Sequence, residues 1–159
     1  MYHGGTDIVE APVCKFGRQN LDFGQGFYIT DLREQAVSWA CQTAKRRGMA
    51  PVLNRYRLNR EAILSEGRCK VFLAYDREWL EFIVASRRGI PVYDSYDYIE
   101  GGVANDRVVD TVNLYMLGLM DEATALQRLS EHQPNNQMCI LMQELADKYL
   151  VYDGTERIE

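Results

Sequence analysis

A chain of 159 residues suits one domain around one core, and 47% hydrophobic with 26% charged residues is the balance of a globular protein. It holds no run of about 18 apolar residues that would span a bilayer, and its charged, glycine-rich start lacks the apolar stretch of a signal peptide, so a cytoplasmic protein with no membrane partner is expected. The net charge of -5 disfavours a protein that coats nucleic acid through its phosphates, although a single nucleotide in a local basic pocket stays compatible. Cys14, Cys41, Cys69 and Cys139 form no C-x-x-C pair, and the histidines are His3 and His132 alone. That inventory predicts reduced thiols used as small core residues, and no metal.

Taken in order, residues 1–4 make at most a very short strand. "GFYIT" (26–30) reads as a buried strand. Asp31 and Glu34 form a capping pair for a helix from Leu32 to residue 47, whose apolar face is Leu32, Ala36, Ala40 and Ala44. "VLNRYRL" (52–58) and "CKVFLAY" (69–75) are strands. Asp76 caps a helix that Gly89 ends. "YDYIEGG" (96–102) is a strand running into a turn. Asn105 or Asp106 opens a helix closed by Gly118, and Asp121 caps the next, to His132. "QMCIL" (137–141) is a strand, followed by a short helix and "YLVYD". Strands and helices do not alternate evenly, which predicts one α+β domain over residues 1–159 rather than a doubly wound α/β sheet.

Four stretches carry potential chemistry. "YHGG" (2–5) sets an imidazole beside two glycines, so backbone can approach a ligand there; the competing reading is a loosely ordered terminus. In "FGQGFYIT", Phe27 and Ile29 alternate with Tyr28, which then faces away from both, either into a cleft or as a half-buried strand aromatic. Gln137 opens an apolar strand, where its amide projects into a cleft or is an ordinary strand-edge amide. Asn105 and Asp106 in "EGGVAND" are a helix cap or a pocket rim.

Three of these segments, "HGG", "GQGFYIT" and "NQMCIL", resemble in order the ADP-ribosyltransferase superfamily, in particular its diphtheria-toxin and poly(ADP-ribose) polymerase-like branch. That branch has a histidine-glycine pair on its first strand, a G-x-G-[IL]-Y-F segment running into a helix, and a late strand opened by N-E. The chain also resembles a small bacterial family of unassigned function that has "YHG", "DFGxGFY", "EWLxFI", "YDxIxGxVAND" and "QxCF"-like segments; here these read "YHGG", "DFGQGFY", "EWLEFI", "YDYIEGGVAND" and "QMCIL". Members of it resemble toxins encoded beside a short antitoxin-like partner.

The resemblance implies a split, mostly antiparallel pair of sheets with flanking helices and an NAD cleft between them. It implies mono-ADP-ribosyl transfer from NAD, a substrate rather than a bound cofactor, to a macromolecular acceptor, through an oxocarbenium-like transition state. His3 would orient a ribose hydroxyl, and Gly4 would offer backbone groups to the nicotinamide carboxamide. Gly26, Phe27 and Tyr28 would line the NAD site, with Tyr28 stacked on the nicotinamide ring and Trp39 near its other face. Gln137 stands where the superfamily has a catalytic glutamate. An amide supplies no negative charge, so chain elongation is not expected; the acceptor, Glu100 or Asp106 could supply the missing carboxylate. NAD hydrolysis, with water as acceptor, and a catalytically degenerate NAD- or partner-binding module are the rival readings.

Overall fold

In the computed structural model, which describes residues 1–102, 106–132 and 136–158, seven strands form one sheet. They are β1 (Tyr2–Gly5), β2 (Phe27–Thr30), β3 (Val52–Leu58), β4 (Cys69–Val71), β5 (Tyr98–Gly102), β6 (Asn136–Ile140) and β7 (Leu150–Arg157), in the spatial order β4-β5-β6-β2-β1-β3-β7. The β4–β5 pair is parallel and the other neighbours are antiparallel. Six helices flank the sheet: α1 (Arg33–Arg47), α2 (Arg60–Glu66), α3 (Arg77–Arg87), α4 (Asp106–Met116), α5 (Glu122–Ser130) and α6 (Gln143–Tyr149). The fold is α+β and mostly antiparallel, as expected, but its strands form one seven-stranded sheet rather than the split pair of sheets that the resemblance implied. Among the described residues no helix is long and apolar enough to cross a membrane.

The sheet has a seam. β2 pairs with β6 over four positions, from Phe27↔Ile140 to Thr30↔Gln137, and β1 pairs with β3 from Tyr2↔Arg55 to Gly5↔Val52. Between β1 and β2 the register is the single pair Tyr2↔Thr30. The strands β4-β5-β6-β2 and β1-β3-β7 are thus joined at one point of backbone.

Alternation along β2 sorts side chains onto two cores. Phe27 and Ile29 join Tyr56, Ile63, Tyr98, Met138, Ile140 and Leu145 on one face, under α2 and α6. Tyr28 packs on the other, against the cluster of Phe23, Trp79, Leu80, Ile83, Val112, Leu129 and Cys139. Its centre, Trp79, is fully buried and donates its indole N–H to the Gly102 carbonyl at 3.2 Å. Helix α1 covers β1 by very close approach. A Cβ on Gly4 would lie 1.8 Å from the Ala36 carbonyl oxygen and 2.9 Å from the Ala40 nitrogen, so the second residue of "HGG" must be glycine for the helix to seat.

Several local expectations need correction. Asp31 does not cap α1: its N-cap is Leu32, which makes no side-chain bond to the helix, and the Leu32 N–H is taken by the Thr30 hydroxyl at 3.1 Å. The strand expected over 69–75 ends at Val71, and α2, capped by the Asn59 carboxamide on the Ala62 N–H at 3.2 Å, was not anticipated. β7 extends to Arg157 because all of β3 pairs with it. Asp76 and Asp121 do cap, accepting from Trp79 and Thr124 N–H groups at 2.9 Å each. Gly89 ends α3 at a φ of 80°.

Two alanine substitutions separate close approach from backbone strain. Gly4→Ala, which collides with helix backbone, is expected to cost more than about 3 kcal/mol in denaturant unfolding. Gly48→Ala has nothing within 4 Å but a φ of 66°, and is expected to cost only about 1–2 kcal/mol. Equal losses would refute the account of the α1–β1 contact.

Candidate functional site

The phase of hydrogen bonding along β1 decides what faces the seam. Met1 and Tyr56 exchange both backbone bonds, Met1 N to Tyr56 O at 2.8 Å and Tyr56 N to Met1 O at 2.9 Å. Bonded pairs alternate in an antiparallel ladder, so His3–Asn54 and Gly5–Val52 are the next bonded pairs toward β3. Tyr2 and Gly4 then direct their N–H and C=O the other way, toward β2. Tyr2 meets Thr30 there. The register stops at that pair, and the Gly4 N–H and C=O point into the gap opposite Tyr28.

His3 spans that gap. Its Nδ1 lies 2.7 Å from the Tyr28 carbonyl oxygen. A carbonyl can only accept, so Nδ1 carries the hydrogen, and Nε2 of the neutral ring is a free acceptor. The ring stacks on Phe27 with centroids 4.6 Å apart and planes at 29°. Gly5 leaves the edge of the ring open, since a Cβ there would stand 3.7 Å from Nε2. Burial lowers the His3 pKa below the ordinary 6.5, opposed by the bond to the Tyr28 carbonyl, which keeps the ring neutral at neutral pH.

Tyr28 has a structural job that accounts for its fixed position. Its hydroxyl donates to the Gly24 carbonyl at 2.6 Å and accepts from the Phe23 N–H at 3.1 Å, clamping the turn before β2. Burial raises its pKa well above the ordinary tyrosine range, so it remains a phenol. The neighbouring glycines are also held by contact. Gly24, at a φ of 85°, lies under the Tyr93 ring, and a Cβ on Gly26 would be 2.5 Å from Cys139 Sγ.

Gln137 is 6% exposed and lies opposite Thr30 of β2 and Gly101 of β5. It shares a sheet face with Cys139 and hence with Tyr28, Tyr2 and Gly4, whereas His3 stacks with Phe27 on the other. The structure therefore brings His3 to the main chain of Tyr28, not to its ring. A ligand touching both must lie through the seam. The Gln137 amide has no hydrogen-bond partner among the described residues, while the other nearly buried amides and carboxylates of the sheet are engaged.

Glu100 is one of those, which removes it as a substitute carboxylate. It pairs with Met138, one position from Gln137 and so on the opposite face. There it binds the Arg60 guanidinium in a fork, at 2.7 and 3.2 Å, and accepts from the Tyr98 hydroxyl at 2.8 Å. Asn105 lies outside the described residues, as does the side chain of Asp106 at the start of α4.

Trp39 is half-buried on α1, the helix seated on Gly4. One turn earlier on the same flank stands Gln35, whose Nε2 and Oε1 are both buried without a partner. No pattern in the sequence singles out Gln35. A larger recess, about 480 Å³, opens between Leu73–Arg77 and Leu126–His132. Its Asp76 caps α3, and His132 stands at its other side.

The family model described as "Protein of unknown function (DUF3990)" matches residues 1–152, and the chain belongs to that family. No curated protein and no solved structure matches it.

Tyr28→Phe keeps the ring and strands the Phe23 N–H and Gly24 C=O; it is expected to lose about 1–3 kcal/mol of stability by denaturant unfolding. For His3 the folded pKa lies below 6.5 and the unfolded value near it, so the unfolded chain takes up the proton first as pH falls. Stability should drop as pH is lowered through about 6.5 and level off below the folded pKa. His3→Gln should flatten that slope, and an unchanged slope would remove His3 as its source.

Proposed function

We propose that this DUF3990 protein binds NAD across the β1–β2 seam, breaks its nicotinamide–ribose bond and transfers ADP-ribose to a macromolecular acceptor in the bacterial cytosol. The observation that carries the reading is the Gly4 N–H and C=O directed together into the gap. One donor and one acceptor on a single residue are complementary to a primary carboxamide, the polar group of nicotinamide. The free Nε2 of His3 beside them suits a ribose hydroxyl donor. Tyr28 lies opposite Gly4 across the seam and Trp39 lies on the helix seated on Gly4; stacking by either ring is worth roughly 0.5–1.5 kcal/mol beyond burial.

In this reading the C1′–N bond breaks with its electron pair passing to the nicotinamide nitrogen, which becomes neutral. The acceptor nucleophile bonds to C1′ and gives up its proton. The unengaged Gln137 amide hydrogen-bonds the ribose and holds its orientation. It cannot balance the positive charge that develops on the sugar. With Glu100 committed to Arg60, the acceptor's own group or Asp106 is left to meet that charge. The same observation favours the second reading, a module that binds NAD without turnover.

The test is nicotinamide release from NAD by the purified chain, with and without cell lysate. Release that requires lysate identifies a transferase and labels its acceptor; release without lysate identifies a glycohydrolase. NAD binding with no release in either case would leave only the binding module. Gln137→Ala is expected to lower turnover about tenfold or more with a smaller change in NAD affinity. Trp39→Ala is expected to weaken NAD binding about tenfold; undiminished affinity in that variant would remove Trp39 from the site. If the chain acts as a toxin held in check by an antitoxin-like protein, its expression alone arrests growth, and Gln137→Ala relieves the arrest.

A further inference from the structure

At the far end of α1 the protein has a basic recess of about 250 Å³ lined by Arg18, Thr43, Arg46 and Arg47. In a chain of net charge -5, three guanidinium groups at one spot call for a physical reason. Basic residues in the last turn of a helix complement its dipole, which accounts for Arg46 and Arg47. It does not account for Arg18, which comes from a separate loop. That loop is held in place. Gly17 packs on Gly26, where a Cβ would meet the Gly26 carbonyl oxygen at 2.8 Å, and the Gln25 amide donates to the carbonyls of Lys15 and Gly17 at 2.8 and 2.7 Å.

The guanidinium groups are only partly neutralised. Arg47 donates to Thr6 Oγ1 at 3.1 Å and to Asp7 Oδ2 at 3.3 Å. Arg46 reaches the Thr43 hydroxyl at 3.3 Å. Among the described residues neither Arg18 nor Arg46 pairs with a carboxylate. With Arg47 paired to Asp7, the two unpaired guanidinium charges of Arg18 and Arg46 still outweigh the roughly half negative charge of a helix C-terminus, so the recess favours an anion.

Its position connects it to the seam. The Arg18 loop leans on the start of β2, and Arg47 is tied to Thr6 and Asp7, just past the end of β1. The recess therefore adjoins the end of β1 and the start of β2, the two strand ends that flank the gap. On α1, Gln35, Trp39 and Thr43 fall at intervals of four on one flank. Thr43 stands one to two turns beyond the Ala36–Ala40 segment that rests on Gly4, about 5–10 Å along the axis. That is the reach of one ribose and its phosphate ester.

We propose that Arg18, Arg46 and Arg47, with the Thr43 hydroxyl, hold the diphosphate of the dinucleotide whose carboxamide end lies at Gly4; this rests on the reading of the seam as an NAD site. The guanidinium forks bind phosphate oxygens two at a time. Asp7, bound to Arg47 in the free protein, is the carboxylate that the anion displaces.

The test is calorimetric binding of inorganic pyrophosphate, NAD and nicotinamide to the full chain, the Arg18→Gln/Arg46→Gln double variant and Asp7→Asn. The two glutamines replace exposed side chains, and circular dichroism checks that the variant folds. Pyrophosphate and NAD are both expected to bind the double variant about tenfold or more weakly, nicotinamide equally, and pyrophosphate more tightly to Asp7→Asn. NAD affinity that survives loss of the arginines overturns this inference alone. Arginine-dependent pyrophosphate binding with no NAD binding overturns the dinucleotide assignment together with the function it rests on. Pyrophosphate that binds wild type and double variant equally overturns the recess as an anion site.

Discussion

The bond from His3 Nδ1 to the Tyr28 carbonyl, 2.7 Å long, is the constraint on which the rest of the molecule turns. In a continuous ladder that carbonyl would accept from a β1 amide. Here a side chain accepts the role of partner, so Tyr28 keeps its hydrogen bond and β1 is released from pairing beyond Tyr2. One imidazole thereby satisfies a buried acceptor, leaves the Gly4 N–H and C=O outside the β1–β2 register, and keeps its own Nε2 free of a partner among the described residues.

The residues around it serve more than one master. Tyr28 reads as a stacking platform, yet its hydroxyl ties the 23–24 turn to the strand. Gly4 reads as a ligand contact, yet the Ala36 carbonyl forbids any side chain there. Gly26 is required by Cys139 Sγ and the Ile140 carbonyl oxygen, which a Cβ there would meet at 2.5 and 2.7 Å. Packing alone explains why these residue types stand where they do. Only the direction of the Gly4 backbone, the free Nε2 of His3, and the unengaged amides of Gln137 and Gln35 exceed what packing requires.

How much of this was legible in the sequence follows from how local each determinant is. Asp76 and Asp121 cap helices through an amide three residues away, so their signals lie in one short window. The capping pair read for α1 fails in the same kind of window because the helix starts one residue later than Asp31 requires, so that its N-cap is Leu32, which has no side-chain acceptor. Alternation placed Tyr28 on the face away from Phe27 and Ile29. It could not say that His3, on a different strand, would stack with Phe27, since that depends on the register of β1 against β3. The commitment of Glu100 to Arg60, 40 residues away, was equally invisible. The gathering of Arg18 with Arg46 and Arg47 depends on how a loop before β2 folds back onto the end of α1, which no periodicity records.

The seam also sets how the molecule can deform. Its two groups of strands share one backbone pair, and what holds them together otherwise is side-chain packing, with Phe27, Ile29, Met138 and Tyr98 from one group meeting Tyr56 and Leu150 from the other. Apolar contacts are non-directional; they tolerate a small change of angle that a hydrogen-bonded ladder does not. Each group is hydrogen-bonded throughout, and the angle between them is the coordinate that backbone pairing constrains least, with Tyr2↔Thr30 as its one paired position. The His3 bond fixes the resting value of that angle, and whatever releases the bond changes the shape of the gap before it changes anything else.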